Sequence, residues 1–244
     1  MASEERQRWL PLESNPDSFN TWSHSLGLDT SQYSFQDCYG LDPEVLGWVK
    51  QPVKAVILLF PITEAYEKAR LEEDARVEED GVEDVGDVIY FKQTITNACG
   101  TFGLLHALAN AGVPLEPGYL TKLFEQCKDK ASTFLRASLE TPLERAQLLT
   151  ATDELERVHT ETASSGQTAA SSLSDMILVD LHFCTFVEHK GNLIELDGRR
   201  NSPINRGKIT KDLLQDTAVR VKEIIDLSNS LEFNLITLNP APED

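Results

Sequence analysis

In QTITNACGTFGLLHALAN, residues 93–110, one cysteine, Cys99, stands where a polar loop changes into a nearly all-apolar helical run. A thiol in the first turn of a helix lies near N–H groups that lack an intrahelical partner and near the positive end of the helix dipole. Both favour the thiolate and so its nucleophilicity. A lone cysteine is more often packing than chemistry, and a nucleophile also needs a base within reach. Five histidines are available. His106 is seven residues along the same helix, roughly 10 Å of rise from Cys99, too far to share a proton. His24 falls in a surface-helix pattern, His159 at the edge of a polar loop and His189 at a hairpin turn, where solvated or structural roles are expected. His182 lies inside an apolar strand, where an ionisable ring needs a reason to be.

The hairpin around it supplies one. ILVDLHFCTFVEHKGNLIELDG, residues 177–198, reads as two strands joined around Lys190-Gly191-Asn192. An even-numbered turn pairs residues whose indices sum to an odd number, which puts Asp197 on the face of His182, two or more positions along the ladder. An odd loop would separate them. Asp180 shares that face and is a competing orienter. Gln93, just after a second apolar run, has an amide that can donate without charge, which suits an oxyanion hole shared with the Cys99 backbone N–H.

These residues need elements to hold them. Asn15-Pro16 can cap a helix carrying Phe19, Trp22 and Leu26 that ends near Gly27. VKAVILLF, residues 53–60, has the length and β-branching of a buried strand, and DVIYFK, residues 87–92, reads as another. Between them a helix-forming run becomes acidic and loses its apolar face, so its end reads as a solvated loop. From Cys99 onward Phe102, Leu104, Leu105 and Leu108 mark a helix buried on most sides, ended by Gly112 and Pro114. Helical patterns return in YLTKLFEQCKDKASTFL and LERAQLLTATDELERV. Residues 159–174 contain almost no large apolar side chain and read as a mobile loop within the domain. An amphipathic helix from about Lys211 and the strand FNLITL follow. Interspersed strands and helices without a regular βαβ period give a mixed α/β (α+β) class.

By length, 244 residues allow one large domain or two small ones, and no strong internal boundary is visible. With 22 Lys+Arg against 40 Asp+Glu the net charge is −18, which argues against nucleic acid or an anionic membrane and favours a basic partner. Solubility is the plainer use of surplus acid. MASEERQRWLPL shows neither a signal peptide nor a membrane span, so a cytoplasmic chain is expected, with the nucleus as a second location. Cys38, Cys99, Cys127 and Cys184 are far apart, without CxxC or zinc-like spacing, and are expected to be reduced with no metal bound.

Gln93, Thr94, Ile95, Asn97, Ala98, Cys99, Gly100 and Thr101 match the nucleophile motif of the ubiquitin C-terminal hydrolases, papain-like deubiquitinating cysteine peptidases. HFCTFVEHKGNLIELDGRRNSPINRG, residues 182–207, resembles that family's histidine and aspartate segment, and RWLPLESNP, YGLDPE, LLFPITEAYE and TETASSGQT extend the resemblance over almost the whole chain. It implies one catalytic domain over 1–244, a central, mostly antiparallel sheet flanked by helices, a knotted backbone, and a crossover loop at 153–175 that spans the active site and gates it against folded adducts. It implies Cys99 as nucleophile, His182 as general acid/base, Asp197 as its orienter and Gln93 as oxyanion donor. No cofactor is implied, and the short form resembles members that act alone, as monomers. The implied partner is ubiquitin or a ubiquitin-like protein, whose basic tail would meet Leu12, Glu13, Asp17 and Asp37 by position in matching segments. A ubiquitin-binding or ubiquitin-stabilising protein with negligible turnover is the alternative, because a misaligned triad looks the same in sequence; a general papain-like peptidase is a further one.

Overall fold

VKAVILLF forms a central strand of a six-stranded sheet in the computed structural model, which describes residues 8–81, 83, 85–133, 145–146, 148–149, 153–166 and 181–242. The strands are β1 (Tyr33–Cys38), β2 (Ala55–Pro61), β3 (Leu181–His189), β4 (Asn192–Leu196), β5 (Ile204–Lys208) and β6 (Asn234–Pro240). Their order is β1-β6-β2-β3-β4-β5 and every pairing is antiparallel. The helices are α1 (Pro16–Ser25), α2 (Pro43–Leu46), α3 (Glu64–Asp80), α4 (Cys99–Asn110), α5 (Tyr119–Thr133), α6 (Asp153–Ser164) and α7 (Leu213–Ser228).

Alternation along β2 separates two cores. Ala55 and Ile57 join Phe19 and Trp22 of α1, Phe102 and Leu105 of α4 and Leu155 of α6. Val56, Leu58 and Phe60 join Tyr66 of α3 and Leu214, Val221 and Ile224 of α7. A strand covered on both faces has no polar side, which is why this one reads as an unbroken apolar run. At α1 the Asn15 side chain accepts the Asp17 N–H, and Pro16 occupies the first helical position, where its missing N–H costs nothing. The β3–β4 hairpin turns in two residues, with φ of 50° at Lys190 and 78° at Gly191. That fixes the register Thr185↔Leu196 to His189↔Asn192, whose index sums are odd.

Three sequence expectations change. Residues 87–92 are buried at Val88–Phe91 but belong to no strand. Their backbone groups bond to helix side chains instead: Asn110 of α4 accepts the Ile89 N–H at 2.8 Å and donates to the Ile89 carbonyl at 2.8 Å, and His106 Nε2 accepts the Phe91 N–H at 3.1 Å. The acidic run stays helical further than expected, because α3 continues to Asp80 with ion pairs to arginines along its inner face, and only the described residues from 81 to 87 lie outside the helix, as expected of its end. Of the mobile loop expected at 159–174, residues 159–164 instead continue the helix α6, with Leu155, Val158, His159 and Thr162 buried along one stripe; 167–175 lie outside the described residues. The short strands β1 and β5 had no alternation strong enough to announce them.

The arginines come from the far side of the hairpin. Arg200, 1% exposed, pairs with Glu73 at 2.7 Å and Asp74 at 2.5 Å. Arg206 pairs with Glu73 and with fully buried Glu195, at 2.8 Å to the latter, and Arg220 of α7 also reaches Glu195 at 3.2 Å. Within α3, Arg70 bonds Glu67 and Asp74. Burial opposes the charge on Glu73, but the Arg206 bonds, with Arg200 and Arg220 nearby, outweigh it and hold its carboxyl down at about 2, from an ordinary 4.5. A carboxylate depressed by folding contributes stability in full above its unfolded value and loses it as pH falls through its folded value. Glu73→Gln, which leaves Arg200 and Arg206 short of a counter-charge, is therefore expected to cost about 3 kcal/mol in urea unfolding at neutral pH. The gap between variant and wild type should close as the pH is lowered from about 4.5 toward 2.

Candidate active site

Cys99 is the first residue of α4, and the helix is fixed on three sides. Gly100 lies under Leu12, so closely that a Cβ there would stand 3.0 Å from the Leu12 Cβ. Gly103 faces β3, where the Thr185 hydroxyl donates to its carbonyl at 2.9 Å. Thr101, fully buried, bonds His159 Nδ1 of α6 at 2.7 Å. The other nitrogen of that ring, Nε2, donates to the Leu10 carbonyl at 2.6 Å, so Nδ1 is the acceptor and Thr101 the donor. Burial pushes the ring down to about 4, which keeps it neutral in that tautomer. Trp9 lies beside it, tilted by 40°, with ring centroids 4.4 Å apart. The segment preceding α1, helix α6 and the first turn of α4 are thereby joined at one imidazole.

His182 stands near the start of β3, with Phe60 of β2 beside it at 6.1 Å between centroids. Its Nε2 donates to Asp197 Oδ1 at 2.6 Å, and its remaining bond is to the Cys99 thiol. Asp197 follows β4 directly, on the face of His182 that the odd register requires. Its Oδ1 also accepts the Arg199 N–H at 2.8 Å. Burial would neutralise each of the three groups, and in each the partners prevail. His182 charge and hydrogen bond, with Arg199 N–H and Arg200, hold Asp197 far below the carboxylate range. The charge and bond of Asp197, then those of Cys99, raise His182 to about 9. Burial raises the Cys99 thiol, but the His182 bond and charge, with the backbone N–H groups of Phe183 and Gly100, bring it below its ordinary value. Cys38 and Cys184, buried without such a partner, are shifted upward. The arrangement sets a thiol biased toward the thiolate beside a raised imidazole with a buried carboxylate behind it, suited to nucleophilic attack followed by proton donation.

Gln93 is placed beside this turn. Its backbone N–H donates to the Gly198 carbonyl at 2.9 Å, and a Cβ on Gly198 would come within 2.9 Å of the Gln93 Cβ. Its amide donates to the Ile95 carbonyl at 3.0 Å, which uses one of two hydrogens. Of the expected partner contacts, Asp17 is exposed and Glu13 and Asp37 are half-buried. Leu12 is a core residue, 5% exposed, because its side chain covers Gly100, and it has little surface to present. His106 is apart from Cys99 as expected, stacked on Tyr90 at 5.1 Å and pushed by burial down to about 4. His189 sits at the hairpin beside Asp87, and His24 is exposed. Asp180 lies outside the described residues. His159 and Thr101 were missed: the helical spacing of Leu155, Val158, His159 and Thr162 was the available signal, outweighed by the polarity around it. Among the described residues no group of three or more His, Cys, Asp or Glu could hold a metal ion, and no helix is long and apolar enough to cross a membrane.

A family model described as ubiquitin carboxyl-terminal hydrolase, family 1, matches residues 9–226. The chain is 38% identical over 242 residues to ubiquitin carboxyl-terminal hydrolase 3 of Arabidopsis thaliana, covering 97% of this chain and 96% of that protein. It is 38% identical over 244 residues to a probable ubiquitin carboxyl-terminal hydrolase of Dictyostelium discoideum, covering 99% and 91%. In fold it is similar to the crystal structure of the Trichinella spiralis UCH37 catalytic domain bound to ubiquitin vinyl methyl ester, with a TM-score of 0.67, 23% identity and 96% of each chain covered.

The lowered thiol predicts selective chemistry that needs no substrate. Iodoacetamide should alkylate Cys99 ahead of the buried Cys38, Cys127 and Cys184, with a pH midpoint below that of an ordinary thiol. His182→Ala removes the cation and leaves burial, so the midpoint should move upward, as read by peptide mapping across a pH series.

Proposed function

This chain belongs to the ubiquitin carboxyl-terminal hydrolase family 1, and from that premise we propose that Cys99, His182, Asp197 and Gln93 carry out acyl transfer at the carboxyl-terminal glycine of ubiquitin or a ubiquitin-like protein. The protein is a cysteine hydrolase that acts on ubiquitin. The observation that carries the residue assignment is the thiol of Cys99 held below its ordinary value by an imidazole that is itself bonded at 2.6 Å to a buried carboxylate.

In this reading the Cys99 thiolate attacks the glycine carbonyl carbon, and the carbonyl π electrons move to oxygen. The oxyanion is met by the Cys99 backbone N–H, which at the head of α4 has no helical carbonyl to reach, and by the second amide hydrogen of Gln93. Collapse of the tetrahedral intermediate expels the leaving amine or thiol, which takes its proton from His182. The neutral imidazole then accepts a proton from water as the hydroxyl attacks the thioester, and the thiolate leaves. Asp197 stays ionised throughout and holds the ring. The basic carboxyl-terminal tail of ubiquitin would be drawn by Glu13, Asp17 and Asp37; Asp17 and Asp37 line an open groove with the exposed aromatics Tyr39 and Trp48. The resemblance of the catalytic segments supports small or unstructured leaving groups as the substrates.

The assignment predicts that ubiquitin carrying a carboxyl-terminal electrophile adds one ubiquitin mass to the protein, and that Cys99→Ala abolishes the adduct. Tight binding with no adduct would favour a ubiquitin-stabilising protein. With a ubiquitin aminocoumarin amide, kcat/KM should be bell-shaped in pH, falling on the alkaline side as His182 deprotonates near 9 and on the acid side below the ordinary thiol value. Equal rates on the coumarin amide and on a folded protein joined to the ubiquitin carboxyl terminus would remove the leaving-group preference.

A further inference from the structure

Asp197 opens a tight turn, in which its carbonyl accepts the Arg200 N–H at 2.9 Å. All four carbonyls of that turn are bound, and each accepts from residues 90–93. The Tyr90 hydroxyl lies 2.6 Å from both the Asp197 and the Arg200 carbonyl oxygens and can donate to either. The Gln93 N–H donates to the Gly198 carbonyl at 2.9 Å. Lys92 Nζ donates to the Arg199 and Arg200 carbonyls at 2.8 and 2.9 Å and to Asn201 Oδ1 at 3.0 Å, which uses all three ammonium hydrogens. The same short arm holds the nucleophile helix, through Asn110 at Ile89 and His106 at Phe91. The backbone groups of residues 89 and 91 thus bond to α4, while the Tyr90 hydroxyl, the Lys92 ammonium and the Gln93 N–H bond to the turn that carries the orienting carboxylate.

We propose that residues 89–93 are a splint that sets Asp197 against Cys99, and that Tyr90 and Lys92 are positioning residues for the hydrolytic reaction through their grip on the 197–200 turn. The inference rests on the assignment of Cys99, His182 and Asp197 given above. Neither side chain touches the reacting atoms. Their effect is exerted on the carboxylate, which emerges from β4 into a turn with no further strand to hold it. Two features favour this over simple packing. A half-buried ammonium opposed by burial would be a poor packing choice unless its hydrogen bonds mattered, and two of the three end on that turn and the third on Asn201, the residue that follows it. Tyr90, fully buried, places its only polar atom across both ends of that turn rather than on α4, against which its ring lies.

If Asp197 is free to swing, His182 loses the charge that raises it, and the alkaline limb of the pH profile moves to lower pH. The experiment compares wild type, Lys92→Met, Lys92→Arg and Tyr90→Phe on the ubiquitin aminocoumarin amide from pH 6 to about 10, a span bracketing the raised imidazole, with thermal melting of each. For Lys92→Met the expected result is about a tenfold lower kcat, unchanged KM and a downward shift of the alkaline limb, with Lys92→Arg recovering most of both. Tyr90→Phe should shift the limb in the same direction, and it serves by itself if Lys92→Met does not fold. An alkaline limb at the wild-type position in folded Lys92→Met or Tyr90→Phe, even with a lower melting temperature, overturns the proposal by reducing these residues to packing. Absence of turnover in wild type would overturn the catalytic assignment and the proposal with it, and is distinguished by that control.

Discussion

Two carboxylates two residues apart, Glu195 and Asp197, are fully buried and ionised at one end of the sheet. An unpaired buried charge costs several kcal/mol, so the fold around them has to supply cations and N–H donors in fixed places. Asp197 is met by His182 and the Arg199 N–H, with Arg200 nearby. Glu195 is met by Arg206, Arg220 and Arg200. The arginines in turn require counter-charges, and α3 provides Glu67, Glu73 and Asp74. Asp197 is therefore the inner end of a charge network that crosses from the hairpin to α3 and α7.

The net charge of −18 is what remains after every Lys and Arg is set against an acid, so internal pairs leave it in place; what they explain is the acidic inner face of α3, where Glu67, Glu73 and Asp74 meet Arg199, Arg200 and Arg206. Their helix has almost no apolar face because its buried side is a row of ion pairs, with Arg70 8% and Arg200 1% exposed. Asp17 and Asp37 lie on another part of the surface, in an open groove with Tyr39 and Trp48.

On the nucleophile side the constraint is rigidity rather than charge. Gly100 and Gly103 let Leu12 and β3 approach the helix closely, and Thr101 is held through the neutral His159. The two halves of the site come from segments about eighty residues apart in the chain. They are joined directly at His182 and indirectly through the arm that precedes Cys99.

The sequence by itself determined the pieces whose identity depends on local pattern. Lys190-Gly191-Asn192 marked the hairpin and the change from polar loop to apolar helix set Cys99 at a helix head, while the even turn that puts Asp197 on the face of His182 was one of two parities until His189 was seen paired with Asn192. The doubly covered strand at β2 was legible because burial on both faces leaves only apolar residues. Tertiary structure decided where long-range partners replace the local signal. DVIYFK has the composition of a strand, yet its Ile89 and Phe91 backbone groups are taken by Asn110 and His106 and its Tyr90 and Lys92 side chains by the turn after Asp197. The inner face of α3 is polar because its partners are arginines more than a hundred residues away, and His159 reads as loop edge until Leu10 and Thr101 are brought to it. Periodicity records whether a face is apolar; it carries no record of which charge or hydrogen bond awaits a polar one.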